Sequence, residues 1–260
     1  TLRVDVDADG RRATVTFTDD WVADAHRRDF TINALFADNS GTIYDPVGGL
    51  ADLKAGRIRF IGDAEQRILE DVLRLLRFFR FYAQFGVPPP DKEAIAVCAK
   101  LANLLPTLSG ERVAAETFKL MGTADPATTM TLMSANGVLQ HFLPEAQEIG
   151  RLAALVTVEG VVGQADPLRR LAAGLKVDGT GADVIADRFR LSNADRVRLR
   201  ELVATDHRFN WEMSTETRQV TMYQLGADLW RDRVLVDWAE EIAIGTPQDR
   251  YITDVWRALY

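Results

Sequence analysis

Residues 63–86 read DAEQRILEDVLRLLRFFRFYAQFG, and after Val87 come three prolines at 88–90. Asp63 with Gln66 three positions on is a helix start. At 100° per residue Leu69, Val72, Leu73, Leu76, Phe79 and Ala83 share one broad face. The spacing predicts one long helix from about Asp63 to Gly86, with that face in a core and the proline run ending it. Arg67, Asp71, Arg74 and Arg77 fall on the opposite side. Asp71 and Arg74 are predicted neighbours there, because positions three apart meet on a helix surface. Phe78, Phe81 and Phe85 lie on the arginine side, which suits a second packing surface or base stacking.

This helix divides the chain. Upstream, Leu2–Val6 and Ala13–Phe17 alternate as strands around an Asp9-Gly10 turn, a short helix is expected from Asp20 to about Arg28, and strand-like pieces recur at 41–44 and 57–61. Downstream only helices are expected, with starts at Pro126 after Asp125, Pro167 after Asp166, and Ser192 with Asp195 three on. The fold class is therefore α+β, with boundaries expected at 1–62, 63–145 and 146–260.

With 260 residues, 47% hydrophobic and 27% charged, the chain has the make-up of a soluble globular protein. It shows neither a membrane span nor a secretion signal, so a cytoplasmic location is expected. One cysteine, Cys98, excludes an internal disulfide, and His26, His141 and His207 are too scattered for a zinc site. The net charge of −7 gives no support to a nucleic-acid partner by itself, so clustering of the basic residues decides.

Two places cluster chemistry. His26-Arg27-Arg28-Asp29-Phe30-Thr31-Ile32-Asn33-Ala34 crowds two arginines, an aspartate and an asparagine into one turn, a set that suits triphosphate oxygens and a ribose hydroxyl. Asp71 beside Arg74 offers acceptors next to fixed donors and can complement the Watson–Crick edge of cytosine or adenine. An ordinary surface salt bridge explains the same two residues. Arg169-Arg170 and Arg196-Val197-Arg198-Leu199-Arg200 read either as phosphate contacts or, for any one arginine, as solvated helix faces.

Arg27-Arg28-Asp29-Phe30-Thr31-x-Asn33-Ala34, then Asp45-Pro46-x-Gly48-Gly49-x-x-Asp52-Leu53, then Glu70-Asp71-x-x-Arg74-x-x-Arg77-x-x-Arg80-Phe81 resembles, in order and spacing, the signature of class II CCA-adding tRNA nucleotidyltransferases and bacterial poly(A) polymerases. The resemblance runs from Thr1 to about Glu145. It implies a nucleotidyltransferase-type mixed-sheet head followed by an all-α neck, body and tail. It also implies that Arg27, Arg28, Asp29 and Asn33 hold triphosphate and ribose, that Asp71 and Arg74 select CTP and then ATP, and that Arg77 and Arg80 belong to the same nucleotide-binding set. Asp45, Gly48, Gly49 and Asp52 match the family's flexible loop, although a turn leading into a helix capped near Gly49 accounts for them almost as well. Ser109-Gly110-Glu111-Arg112 matches a segment that opens a later helix, with Ser109 as its N-cap.

The implied partners are the tRNA 3′ end, ATP and CTP, with Mg2+ as cofactor. Poly(A) addition is the alternative within the family, and a non-catalytic RNA-binding helical module the alternative outside it. The family's Gly-Gly-x-Val-Arg-Asp and metal-binding Asp-x-Asp do not occur here. Asp5 and Asp7 spell Asp-x-Asp but fall after the family's metal pair and are rejected as ligands. The chain is accordingly expected to be N-terminally incomplete and inactive alone, with the metal carboxylates upstream of Thr1. Oligomeric state is left open.

Overall fold

The computed structural model describes residues 3–8, 13–17, 20–204, 209, 212–246 and 250–260, the first two stretches through their backbone. The chain divides into two compact units. The first comprises Thr1–Leu108 with Met133–Phe142, and the second Ser109–Leu132 with Leu143–Tyr260.

The first unit opens with an antiparallel hairpin of β1 (Arg3–Ala8) and β2 (Ala13–Phe17), whose register shifts between Asp5 and Asp7. The expected Asp9-Gly10 turn lies outside the described residues. Helix α1 (Trp21–His26) starts where Asp20 accepts hydrogen bonds from the Val22 and Ala23 amides. A second antiparallel pair joins β3 (Phe36–Ala37) to β4 (Ile43–Tyr44). Then follow α2 (Gly49–Ala55), α3 (Ala64–Glu70), α4 (Leu73–Phe85) and α5 (Lys92–Leu101). The α+β class holds. The strand expected at 57–61 is reduced to one bridge, Phe30 to Phe60.

The helix expected over 63–86 is two helices. It starts as read, with the Gln66 amide donating to Asp63 Oδ1 at 2.7 Å, but Asp71 is extended at φ −151° and ψ 104°. Its carboxylate accepts from the Leu73 amide at 3.1 Å. Aspartate competes for backbone donors in this way, which is why it favours helix starts over helix interiors. Turning the corner there re-aims the apolar stripe, so Leu69 is exposed, whereas Leu75, Leu76, Phe78, Phe79, Phe81 and Tyr82 are buried. Of the arginine-side aromatics, Phe78 and Phe81 form a packing surface, whereas Phe85 is exposed. Phe78 stacks on Phe60 at 5.9 Å, and Phe30 lies 4.9 Å from Phe60 and 5.3 Å from Phe81. Each such buried ring contributes about 1.5–3 kcal/mol. This cluster fixes the turn at 27–33 against α4.

The regular elements of the second unit are helices among its described residues: α6 (Gly110–Met121), α7 (Pro126–Ala135, whose last turn from Met133 belongs to the first unit), α8 (Ile149–Val162), α9 (Pro167–Gly174), α10 (Gly179–Phe189), α11 (Asn193–Val203), α12 (Thr215–Leu225), α13 (Ala227–Ala243) and α14 (Arg250–Leu259). Asp125, Asp166 and Ser192 cap α7, α9 and α11 through the amides of Thr128, Arg169 and Asp195, as their spacing predicts. Ser109 sits at the N-cap of α6 without a side-chain cap bond. Leu155, Val158, Phe209, Trp230, Val234, Trp238 and Trp256 form the core of α8, α13 and α14. No helix among the described residues is long and apolar enough to cross a membrane. Cys98 is fully buried, and that burial pushes its thiol pKa up.

Candidate nucleotide-binding site

Asp24 lies in α1, Arg27 is the C-cap of that helix and Arg28 follows it, so the carboxylate stands three and four residues before the two arginines. Asp24 is completely buried. Its Oδ1 accepts from Arg27 Nε at 2.8 Å and Nη2 at 2.5 Å, and its Oδ2 from Arg28 Nε at 3.0 Å and Nη2 at 2.9 Å. Arg28 Nη1 also donates to the Asn33 carbonyl at 2.6 Å, and its guanidinium lies 4.7 Å from the centre of the Phe36 ring.

Asp29 is held from three sides. Its Oδ1 accepts from the Phe30 amide at 3.0 Å and Asn33 Nδ2 at 2.9 Å, and its Oδ2 from Arg77 Nε at 2.6 Å. Burial pushes its carboxyl pKa up, but Arg77 and these hydrogen bonds outweigh it and hold the carboxyl below the ordinary aspartate range.

Arg67 reaches from α3 to the carbonyls of Arg27 and Arg28, at 2.7 and 2.5 Å, and pairs with Glu70. Arg74 donates to the Arg67 carbonyl at 2.9 Å and to Glu70 Oε2 at 2.6 Å. Burial, and then the positive charge of Arg74, lower the Arg67 pKa, and its Nε is buried without a hydrogen-bond partner. Arg80 and Arg77 both lie over the Phe81 ring, at 4.0 and 5.4 Å from its centre. Five arginines, at 27, 28, 67, 74 and 77, thus converge on three carboxylates, Asp24, Asp29 and Glu70. A cation-rich cluster with forked donors suits a polyphosphate.

The structure therefore brings together Arg27, Arg28, Asp29, Asn33, Arg74 and Arg77, and sets Arg80 beside them on Phe81. Asp71 is close in the chain to Arg74 but is not its neighbour on a continuous helix, since it forms the corner that starts α4. Sequence reasoning missed Asp24 as a partner of the arginines and assigned no role to Arg67 or Glu70. The spacing of Asp24 to Arg27 and Arg28 is a signal that points to it.

The loop residues form a tight cap. Asp45 accepts from the amides of Gly49 at 2.7 Å and Leu50 at 3.0 Å. Those amides, with Val47 and Gly48, outweigh burial and hold the Asp45 pKa low. Gly48 has φ +76°, and at Gly49 a Cβ would overlap the Thr31 carbonyl oxygen, so both positions call for glycine. Asp52 is buried and accepts from Thr31 Oγ1 at 2.7 Å and Arg59 Nε at 2.6 Å.

In the second unit the arginines read as phosphate contacts or solvated faces divide: Arg169 and Arg170 are buried, whereas Arg196 and Arg200 form pairs on solvated faces. Arg169 and Arg170 are buried and bonded to Glu159. Arg198 pairs with Asp232 and Asp166, Arg200 with Asp183, and Arg196 with Asp187. Their acidic partners lie 9 to 34 residues away, out of reach of a local reading.

Residues 1–59 match the poly(A) polymerase head domain family, and residues 90–149 the probable RNA and SrmB-binding site of polymerase A. The mitochondrial CCA tRNA nucleotidyltransferase 1 of Mus musculus is 49% identical over 123 residues, 46% of this chain and 28% of that protein. The CCA-adding enzyme of Geobacillus stearothermophilus is 40% identical over 135 residues, 52% of this chain and 33% of that protein. The matched part thus spans about a third of these curated relatives or less. The crystal structure of the Bacillus stearothermophilus CCA-adding enzyme in complex with CTP superposes with a TM-score of 0.75, covering 100% of this chain and 62% of that one at 24% identity, a likeness of fold. By the ordered motifs and these matches, residues 1–59 and 90–149 are similar to two domains of the poly(A) polymerase family, and about half of the chain is similar to CCA-adding tRNA nucleotidyltransferases.

Proposed function

We propose that this chain serves an RNA nucleotidyltransferase that adds CCA to the 3′ end of tRNA from CTP and ATP. The observation that carries this reading is the convergence of Arg27, Arg28, Arg67, Arg74 and Arg77 beside the Asp29–Asn33 pair. Arg27 and Arg28 are read as triphosphate holders, with Asp29 and Asn33 at the ribose. Asp71 and Arg74, each tied at the corner between α3 and α4, present an acceptor and a donor to the base edge, and Arg77 and Arg80 complete the set. Asp45, Gly48, Gly49 and Asp52 are read as the loop whose bonds rearrange as the site closes. Residues 1–62 supply the head, 63–145 the neck and 146–260 the body and tail. Cytoplasmic action is part of the proposal, although the mouse relative is named as mitochondrial.

The family's Mg2+ does not fit the described residues. Asp24, Asp29 and Glu70 are each bonded to arginine, and no group of three or more metal-ligating side chains occurs among those residues.

Equilibrium titration with the four ribonucleoside triphosphates tests the reading. CTP and ATP should bind in preference to GTP and UTP, and Asp71→Ala and Arg74→Ala should abolish that preference. Binding of ATP without CTP points to poly(A) addition instead. Binding of tRNA with no preference among free nucleotides supports the RNA-binding module and overturns the proposal.

A further inference from the structure

Arg27 is the C-cap of α1 and Arg28 follows it, so two adjacent guanidiniums leave the end of the helix and repel each other as like charges. Asp24 brings them together. It sits one turn earlier, completely buried, and gives one oxygen to each guanidinium. Arg67 fixes the same two residues by their carbonyls from α3. Side chain and backbone of the pair are thus both set before any ligand arrives, and such preorganisation is how a site limits the entropy lost on binding.

We propose that Asp24 is a positioning residue for the triphosphate, acting through Arg27 and Arg28. The inference rests on the reading of those two arginines as triphosphate holders. It makes a prediction of sign that plain electrostatics reverses. An anion next to a phosphate site repels the ligand, so removing its charge should tighten binding if Asp24 were only a background charge. A positioning role demands weaker binding in spite of the added positive charge.

Two measurements on the full chain separate the possibilities. The first compares CTP, ATP and inorganic tripolyphosphate titrations for the wild type, Asp24→Asn and Asp24→Glu. Asp24→Asn should lose about tenfold to a hundredfold in affinity for all three, the scale of one misaligned charge-assisted contact. Asp24→Glu keeps the charge, shifts it by one methylene and should lose less. Equal or tighter binding by Asp24→Asn overturns the proposal.

The second needs no nucleotide and holds even if the site reading fails. Phenylglyoxal modification of Arg27 and Arg28, followed by mass spectrometry, should be slow in the wild type and faster in Asp24→Asn and Asp24→Glu, with Arg200 as an internal reference. Unchanged rates at Arg27 and Arg28 overturn the clamp itself. Faster modification in a chain whose wild type binds no triphosphate leaves the clamp standing and removes the triphosphate reading.

Discussion

Arg27-Arg28 in the first unit and Arg169-Arg170 in the second begin alike. Each dipeptide is gathered by one carboxylate that gives a separate oxygen to each arginine, Asp24 in one case and Glu159 in the other. The surroundings then part company. Arg169 also bonds Asp232 and the Gln164 carbonyl, and Arg170 the carbonyls of Met121 and Thr123, leaving side-chain exposures of 4 and 5%. Arg27 and Arg28 keep 21 and 33%; Arg28 also bonds the Asn33 carbonyl, and a further cation, Arg67, bonds the carbonyls of both. Two arginines in a row therefore say little by themselves. Where acceptors match donors the pair is a sealed strut; where cations exceed carboxylates and stay partly exposed, the pair has the chemistry that suits an anionic ligand.

The largest effect should come from opening the sealed strut. Glu159→Ala leaves two buried guanidiniums without their shared carboxylate, and a loss of about 3–5 kcal/mol is expected from the urea midpoint. A loss under about 1 kcal/mol breaks the contrast.

A smaller effect separates the half-open cluster by pH. Asp29→Asn should cost about 1–3 kcal/mol at neutral pH, since the Arg77 bond to a carboxylate is replaced by one to a neutral amide. The folded-state pKa of Asp29 lies below its ordinary value of 3.8. Its contribution is complete above that value and is lost as pH falls through the folded value. Acid unfolding curves of wild type and variant should converge below about pH 3.8, and a constant gap down to full protonation excludes the Asp29–Arg77 pair as the cause.

The smallest effect is the control. Arg200, 56% exposed and paired with Asp183, should change stability by no more than about 0.5 kcal/mol on replacement by alanine. A larger loss places it among the sealed arginines.

What the sequence disclosed was local. Asp63, Asp125, Asp166 and Ser192 announce helix starts because a cap and its amide lie within three residues. The signature turn at 27–34 stood out by its crowding of polar groups between apolar elements. The corner at Asp71 was hidden because the apolar period continues through it, and one aspartate bonding two residues ahead outweighs that period. The burial of Arg169 and Arg170 was hidden for a different reason. Glu159 and Asp232 lie 10 and 63 residues from Arg169, and no periodicity reports on partners so far apart. Thr31 bonding Asp52, 21 residues on, is the same case within the first unit.

The extended residue at Asp71 also separates α4 from α3 as an independent arm. Helix α4 has thirteen residues, so at 1.5 Å per residue its far end lies about 20 Å from the corner. A rotation of about 10° there carries Phe85 through about 3 Å while Leu73 hardly moves. Had α3 and α4 been one unbroken rod, the same excursion would have required bending hydrogen bonds along its whole length.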